Sequence, residues 1–96
     1  MHFAIHCLDK PDALATRLAN YDSHKAYLAA TAPVAIVVSG PLLADDGETM
    51  IGSLFVVEAD DRDAVEHFHR NDPFFLTGVW DRVNIHPFLK RVDNRT

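Results

Sequence analysis

His24 and Asp72 are the two side chains of this sequence best suited to moving a proton, and they stand 48 residues apart (72 − 24). His24 falls at the edge of a helical apolar stripe, on the same side as Arg17 seven residues earlier. An imidazole there stays partly wet and can take or give a proton near neutral pH. A boundary histidine that only caps polar groups would sit at the same place. Asp72 precedes Pro73, where a carboxylate commonly caps a helix or forms a turn. The alternative is a carboxylate that orients and charges His24. Ser39-Gly40-Pro41 offers a hydroxyl beside a glycine that lets a ligand approach closely; a plain strand end is the competing reading. Gly52-Ser53 is similar, as a bulge or a close-approach site.

The other candidates are weaker. His67 and His69 are two apart on a helix and point in different directions. His2 and His6 share a strand face but lie about 13 Å apart at strand rise. His86 precedes Pro87 and belongs with Trp80. None has the spacing of a zinc-binding HExxH or a facial triad, so no metal is expected. Cys7 sits among apolar residues and reads as a small packing group, not a nucleophile. The residues call for no cofactor.

These groups need a scaffold, and a chain of 96 residues supplies one domain, residues 1–96, near the lower size for a self-sufficient core. Nine Lys and Arg against 14 Asp and Glu give a net charge of −5 (9 − 14). That balance argues against nucleic acid and against a polybasic membrane anchor. A single cysteine allows no internal disulfide, so a reducing cytoplasm is the simplest setting. The first residues lack the pattern of a signal peptide, and no apolar run is long enough to span a bilayer.

His2 to Leu8 alternates as a strand, with Phe3, Ile5 and Cys7 on one side. Pro11 or Asp12 suits the first turn of a helix that runs without Gly or Pro from Ala13 to Ala30. Its buried stripe is read as Leu14, Leu18, Tyr21 and Leu28. Ala32-Pro33 ends it. Val34 to Ser39 is a β-branched strand, terminated by Gly40-Pro41. Ala44 to Glu48 forms a hairpin tip with Asp46-Gly47 at the turn. Ile51 to Glu58 follows, with Ile51, Phe55 and Val57 on one side. Asp60 or Asp61 caps the next helix, whose core side is Ala64, Val65 and Phe68. Asn71-Asp72-Pro73 stops it. Pro73 to Thr77 makes a helical turn closed by Gly78. Val79 to Phe88 is the last strand, with Val79, Val83 and Ile85 opposite Trp80, Arg82, Asn84 and His86. Leu89 to Thr96 is a polar tail.

The order β-α-β-β-α-β is the ferredoxin-like α+β arrangement: one four-stranded antiparallel sheet with both helices on one face. Strands two and three are apolar on both faces, so one apolar sheet face is left open. A homodimer packed sheet to sheet is the simplest cover, a dimeric α/β barrel.

In sequence order, Tyr21-Asp22-Ser23-His24-Lys25-Ala26-Tyr27-Leu28, Val38-Ser39-Gly40-Pro41-Leu42, Gly52-Ser53, Asn71-Asp72-Pro73-Phe74, Gly78-Val79 and Ile85-His86-Pro87-Phe88 resemble the YciI-like, or YCII-related, proteins over nearly the whole chain. The resemblance implies a dimeric α/β barrel and a site built from His24 and Asp72. Some family members resemble enzymes of small cyclic or chlorinated aromatic compounds, including a dehydrochlorinase. An arginine often found three residues before the histidine is Tyr21 here, and a leucine that commonly follows it is Lys25; Arg17 or Arg82 could substitute for the arginine. The expected protein is an enzyme acting on a small molecule by His24–Asp72 general acid–base chemistry, such as elimination or isomerisation. Arg17, Ser39, Gly40, Pro41 and Ser53 are its expected ligand-binding residues. The alternatives are a non-catalytic small-molecule-binding module and a dimeric interaction module.

Overall fold

The computed structural model of the chain describes residues 1–30 and 34–95. Strands β1 (His2–Asp9), β2 (Ala35–Leu43), β3 (Met50–Glu58) and β4 (Trp80–Phe88) form one antiparallel sheet in the order β2-β3-β1-β4. Helices α1 (Leu14–Ala19) and α2 (Tyr21–Ala29) join β1 to β2, and α3 (Arg62–Arg70) and α4 (Pro73–Leu76) join β3 to β4. This is the α+β, ferredoxin-like order expected from the sequence.

Alternation decides which face is core. Phe3, Ile5 and Cys7 of β1 lie beside Val57, Phe55 and Ser53 of β3. All six are buried, and Val65, Phe68 and Phe74 from α3 and α4 join the same buried set. The opposite face carries Val38, Leu54, Val56, Ala4 and Leu8 beside His6, Arg82 and Asn84, and among the described residues no helix covers it. Val38 and Leu54 are exposed.

Several local readings are corrected. The helix read from Ala13 to Ala30 breaks at Asn20, whose backbone leaves helical geometry and whose side chain donates to the Thr16 carbonyl at 2.9 Å. Asparagine competes for helix carbonyls in this way. Pro11 and Asp12 do not form the first helical turn, which begins at Leu14: Asp12 takes a left-handed turn conformation with φ 60°, and Ala13 is the cap position. Of the expected buried stripe, Leu28 packs against the core, but the rest is inverted. Leu14, Leu18 and Tyr21 are 41%, 56% and 44% exposed, whereas Arg17 and His24 are 2% and 7% exposed. Polar groups win the inner face because each finds a charged or hydrogen-bonding partner there. The Ala32-Pro33 stop lies outside the described residues.

Gly40-Pro41 does not end its strand; β2 continues to Leu43. Pro41 is tolerated because β2 is an edge strand. Ile51 is exposed instead of sharing the buried side of Phe55 and Val57, next to a break in the β2–β3 register. Trp80 joins the helix-covered face, where it meets Phe55 and Phe74 edge to face. A bulge between Trp80 and Arg82, where Asp9 pairs with Trp80 and Leu8 with Arg82, reverses the alternation. Gly52 is a close-approach glycine: a Cβ there would strike the Cys7 carbonyl oxygen. Asp61 caps α3 by accepting the Ala64 N–H at 2.9 Å.

Candidate functional site

Two buried polar pairs meet at one aromatic ring. Asp9 is the odd-numbered continuation of the Phe3-Ile5-Cys7 face and so points beneath α1. Arg17 reaches down from α1 and donates Nε and Nη2 to the two Asp9 carboxylate oxygens at 2.7 and 2.8 Å. Nη2 also donates to Ser53 Oγ on β3 at 2.9 Å. This forked geometry is the strong form of a guanidinium–carboxylate contact.

The second pair is His24 and Asp72. Pro73 at the start of α4 makes Asp72 its cap, so the Asp72 carboxylate accepts the Phe74 N–H at 2.8 Å. The same oxygen, Oδ1, lies 2.8 Å from His24 Nδ1. Asp72 is fully buried. A buried carboxylate that also holds a backbone N–H faces His24 as an acceptor. Nδ1 therefore carries the proton and donates, and Nε2 is the nitrogen left for a ligand. Phe74 locks both pairs. Its ring stacks on the His24 imidazole at 3.9 Å, and the Arg17 guanidinium sits 4.6 Å from its centre.

A cleft of about 480 Å³ opens beside these groups. Arg17, His24, Ser53 and Phe55 form its buried side, and Ser39, Gly40 and Pro41 of β2 form the facing wall. Leu18, Tyr21 and Lys25 stand at its rim. All the expected ligand-binding residues therefore come to one place, with Asp72 behind His24. Asp9 and Phe74 carry as much of the geometry but were not singled out for it. The parity of β1 could have found Asp9, while nothing local announces the Phe74 stack.

Burial governs the neighbouring titrations. The Cys7 thiol is pushed up to about 12 by burial, with the Asp72 charge adding to the rise. That is the behaviour of a packing group. No group of three or more His, Cys, Asp or Glu among the described residues could hold a metal ion.

His69 supports Asp72 from α3: its carbonyl accepts the Asp72 N–H at 3.3 Å. Burial pushes the His69 imidazole down, and the Glu66 carboxylate at 3.3 Å opposes that only in part. A depressed folded value means that the unfolded chain takes up this proton more readily. The contribution of His69 to stability is thus present above the ordinary imidazole range and lost as pH falls through the folded value. Denaturant unfolding should show a smaller loss between about pH 8 and about pH 5.5 in His69→Leu than in wild type. Equal losses would contradict the burial of a neutral imidazole.

The YCII-related domain family pattern matches residues 1–89 of the chain. Protein YciI of Escherichia coli is 28% identical over 96 residues, covering 94% of this chain and 98% of that protein. Protein YciI of Shigella flexneri matches to the same extent, 28% over 96 residues. Among solved structures, 5-chloro-2-hydroxyhydroquinone dehydrochlorinase from Burkholderia phenoliruptrix, in complex with 2,5-dihydroxybenzoquinone, superposes with a TM-score of 0.83. It is 34% identical, and the match covers 93% of this chain and 94% of that one.

Proposed function

The chain belongs to the YCII-related domain family, and from that premise we propose that it is an enzyme acting on a small cyclic or aromatic metabolite by proton transfer through His24. The observation that carries this reading is the 2.8 Å contact of His24 Nδ1 with buried Asp72, beside a cleft that His24 lines. Asp72 fixes the tautomer, Phe74 fixes the ring plane, and Nε2 serves as general base and then acid. Arg17 and Ser53 hold an oxygen of the ligand, and the Ser39-Gly40-Pro41 wall lets its ring approach the backbone.

Elimination and isomerisation both suit this equipment. In an elimination, His24 removes a proton from the ring or its hydroxyl. A leaving group then departs from the ring with its bonding electron pair. The sum is loss of HX, with no electron acceptor required. The dehydrochlorinase relative acts on a chlorinated ring of this kind by its name. The cleft, at the small end for ligand pockets, suits a single ring.

The assembly we place behind this activity is a homodimer packed through the open sheet face. That face exposes Val38 and Leu54 in the single chain. Light scattering at micromolar concentration should return twice 10.7 kDa. A monomer would overturn the sheet-to-sheet arrangement. The proposed setting is the cytoplasm, where one buried cysteine needs no partner. Among the described residues no helix is long and apolar enough to cross a membrane. The net charge of −5 speaks against a nucleic-acid partner.

The test is ligand placement. 2,5-Dihydroxybenzoquinone should stabilise the wild-type protein against heat and shift the His24 imidazole resonances. Stabilisation without any change at His24 would move the site elsewhere and end this reading.

A further inference from the structure

The cleft is electrically lopsided along its depth. At the inner end, the Arg17 charge is already matched by the forked contact with Asp9, at 2.7 and 2.8 Å. The Asp72 carboxylate lies directly behind His24 at 2.8 Å. An anionic substituent pushed to that end would leave water to face a neutralised guanidinium and a buried like charge, which is unfavourable on both counts.

The rim differs. Lys25 is the other cation lining the cleft, and it is exposed. Its ammonium lies 4.9 Å from the Tyr21 ring centre, which holds it one helical turn along the rim. Asp22, three residues before it, makes no ion pair with it, and among the described residues no carboxylate comes within ion-pair distance of it. The cleft therefore offers one cation without a counter-charge, and offers it at the mouth.

We infer that Lys25 determines specificity, selecting a single-ring substrate with a carboxylate on the side of the ring remote from the reacting position. This rests on the catalytic reading above and adds the charge class and orientation of the substrate: neutral hydroxyl or carbonyl inward at His24, carboxylate outward at Lys25. Tyr21 is a positioning residue that keeps the ammonium over the opening.

The experiment measures dissociation constants for 2,5-dihydroxybenzoate and its neutral counterpart 2,5-dihydroxybenzamide by calorimetry at low salt. Wild type should bind the carboxylate about tenfold more tightly, with the preference shrinking as salt rises. Lys25→Met keeps the stem and removes the charge. It should erase the preference while leaving benzamide affinity within about twofold. Lys25→Glu should reverse the preference. Equal binding of both probes by wild type, or an undiminished preference in Lys25→Met, would overturn the inference and leave the catalytic reading standing. Failure of both probes to bind at His24 would overturn the two together.

Discussion

Arg17→Met should destabilise the protein by about 3–5 kcal/mol in denaturant unfolding, because it removes one partner of a buried ion pair. The Arg17 and Asp9 side chains are 3% and 7% exposed, so solvent can offer little in place of the lost contact. Asp9 would be left as a buried carboxylate. Ser53 Oγ would lose its partner as well, and Phe74 would lose the guanidinium lying over its ring. The double variant Asp9→Leu with Arg17→Met removes both charges and should regain much of the loss, since an apolar pair of similar volume is often neutral in such positions. A single-variant cost below about 1 kcal/mol is the range of exposed pairs and would show that water reaches this one.

Asp72→Asn should divide stability from turnover. The asparagine keeps the size of the side chain and can still accept the Phe74 N–H at the start of α4, so the helix cap survives. The fold should lose about 1–2 kcal/mol, the scale of one buried hydrogen bond made poorly. Both contacts fall on Oδ1, so the amide oxygen that holds the Phe74 N–H also still accepts from His24 Nδ1, but the negative charge behind the imidazole is gone. Nε2 then takes up a proton without the carboxylate that stabilises the resulting imidazolium. Turnover should fall by about 10²- to 10⁴-fold, the usual weight of a general base. Asp72→Ala removes the cap together with the His24 contact and should cost about 2–4 kcal/mol. Turnover in Asp72→Asn within a few fold of wild type would mean that Asp72 is a helix cap and nothing more.

The alternation of Phe3, Ile5 and Cys7 made β1 and its buried face legible, and Asp46-Gly47 made the hairpin legible. Asp-Pro at 72–73 marked a helix boundary for a local reason, the restricted conformation before proline. The inner face of α1 and α2 was not legible. A helical wheel ranks Leu14, Leu18 and Tyr21 above Arg17 and His24. What reverses the ranking lies 8, 36 and 48 residues away, at Asp9, Ser53 and Asp72. Pairwise satisfaction of buried charge is a tertiary property, and no window of sequence contains it. Trp80 was misplaced for a smaller reason of the same kind: one extra residue between Trp80 and Arg82 puts Trp80 on the same buried side as Val83 and Ile85, against simple parity. His24 and Asp72 could be named as candidates from their types and places. Their 2.8 Å contact and the Phe74 stack are consequences of how α2 and α4 pack.

The most direct measurement is halide release from 5-chloro-2-hydroxyhydroquinone and related halogenated single-ring hydroxy acids by wild type and His24→Ala, compared at equal folded concentration. Wild type should release halide. His24→Ala should lose about 10²- to 10⁴-fold of that rate while its sedimentation shows the same assembly and its far-ultraviolet dichroism a folded chain, although the loss of the contact with buried Asp72 lowers its unfolding midpoint. Wild-type release that persists undiminished in His24→Ala would contradict the account at its centre.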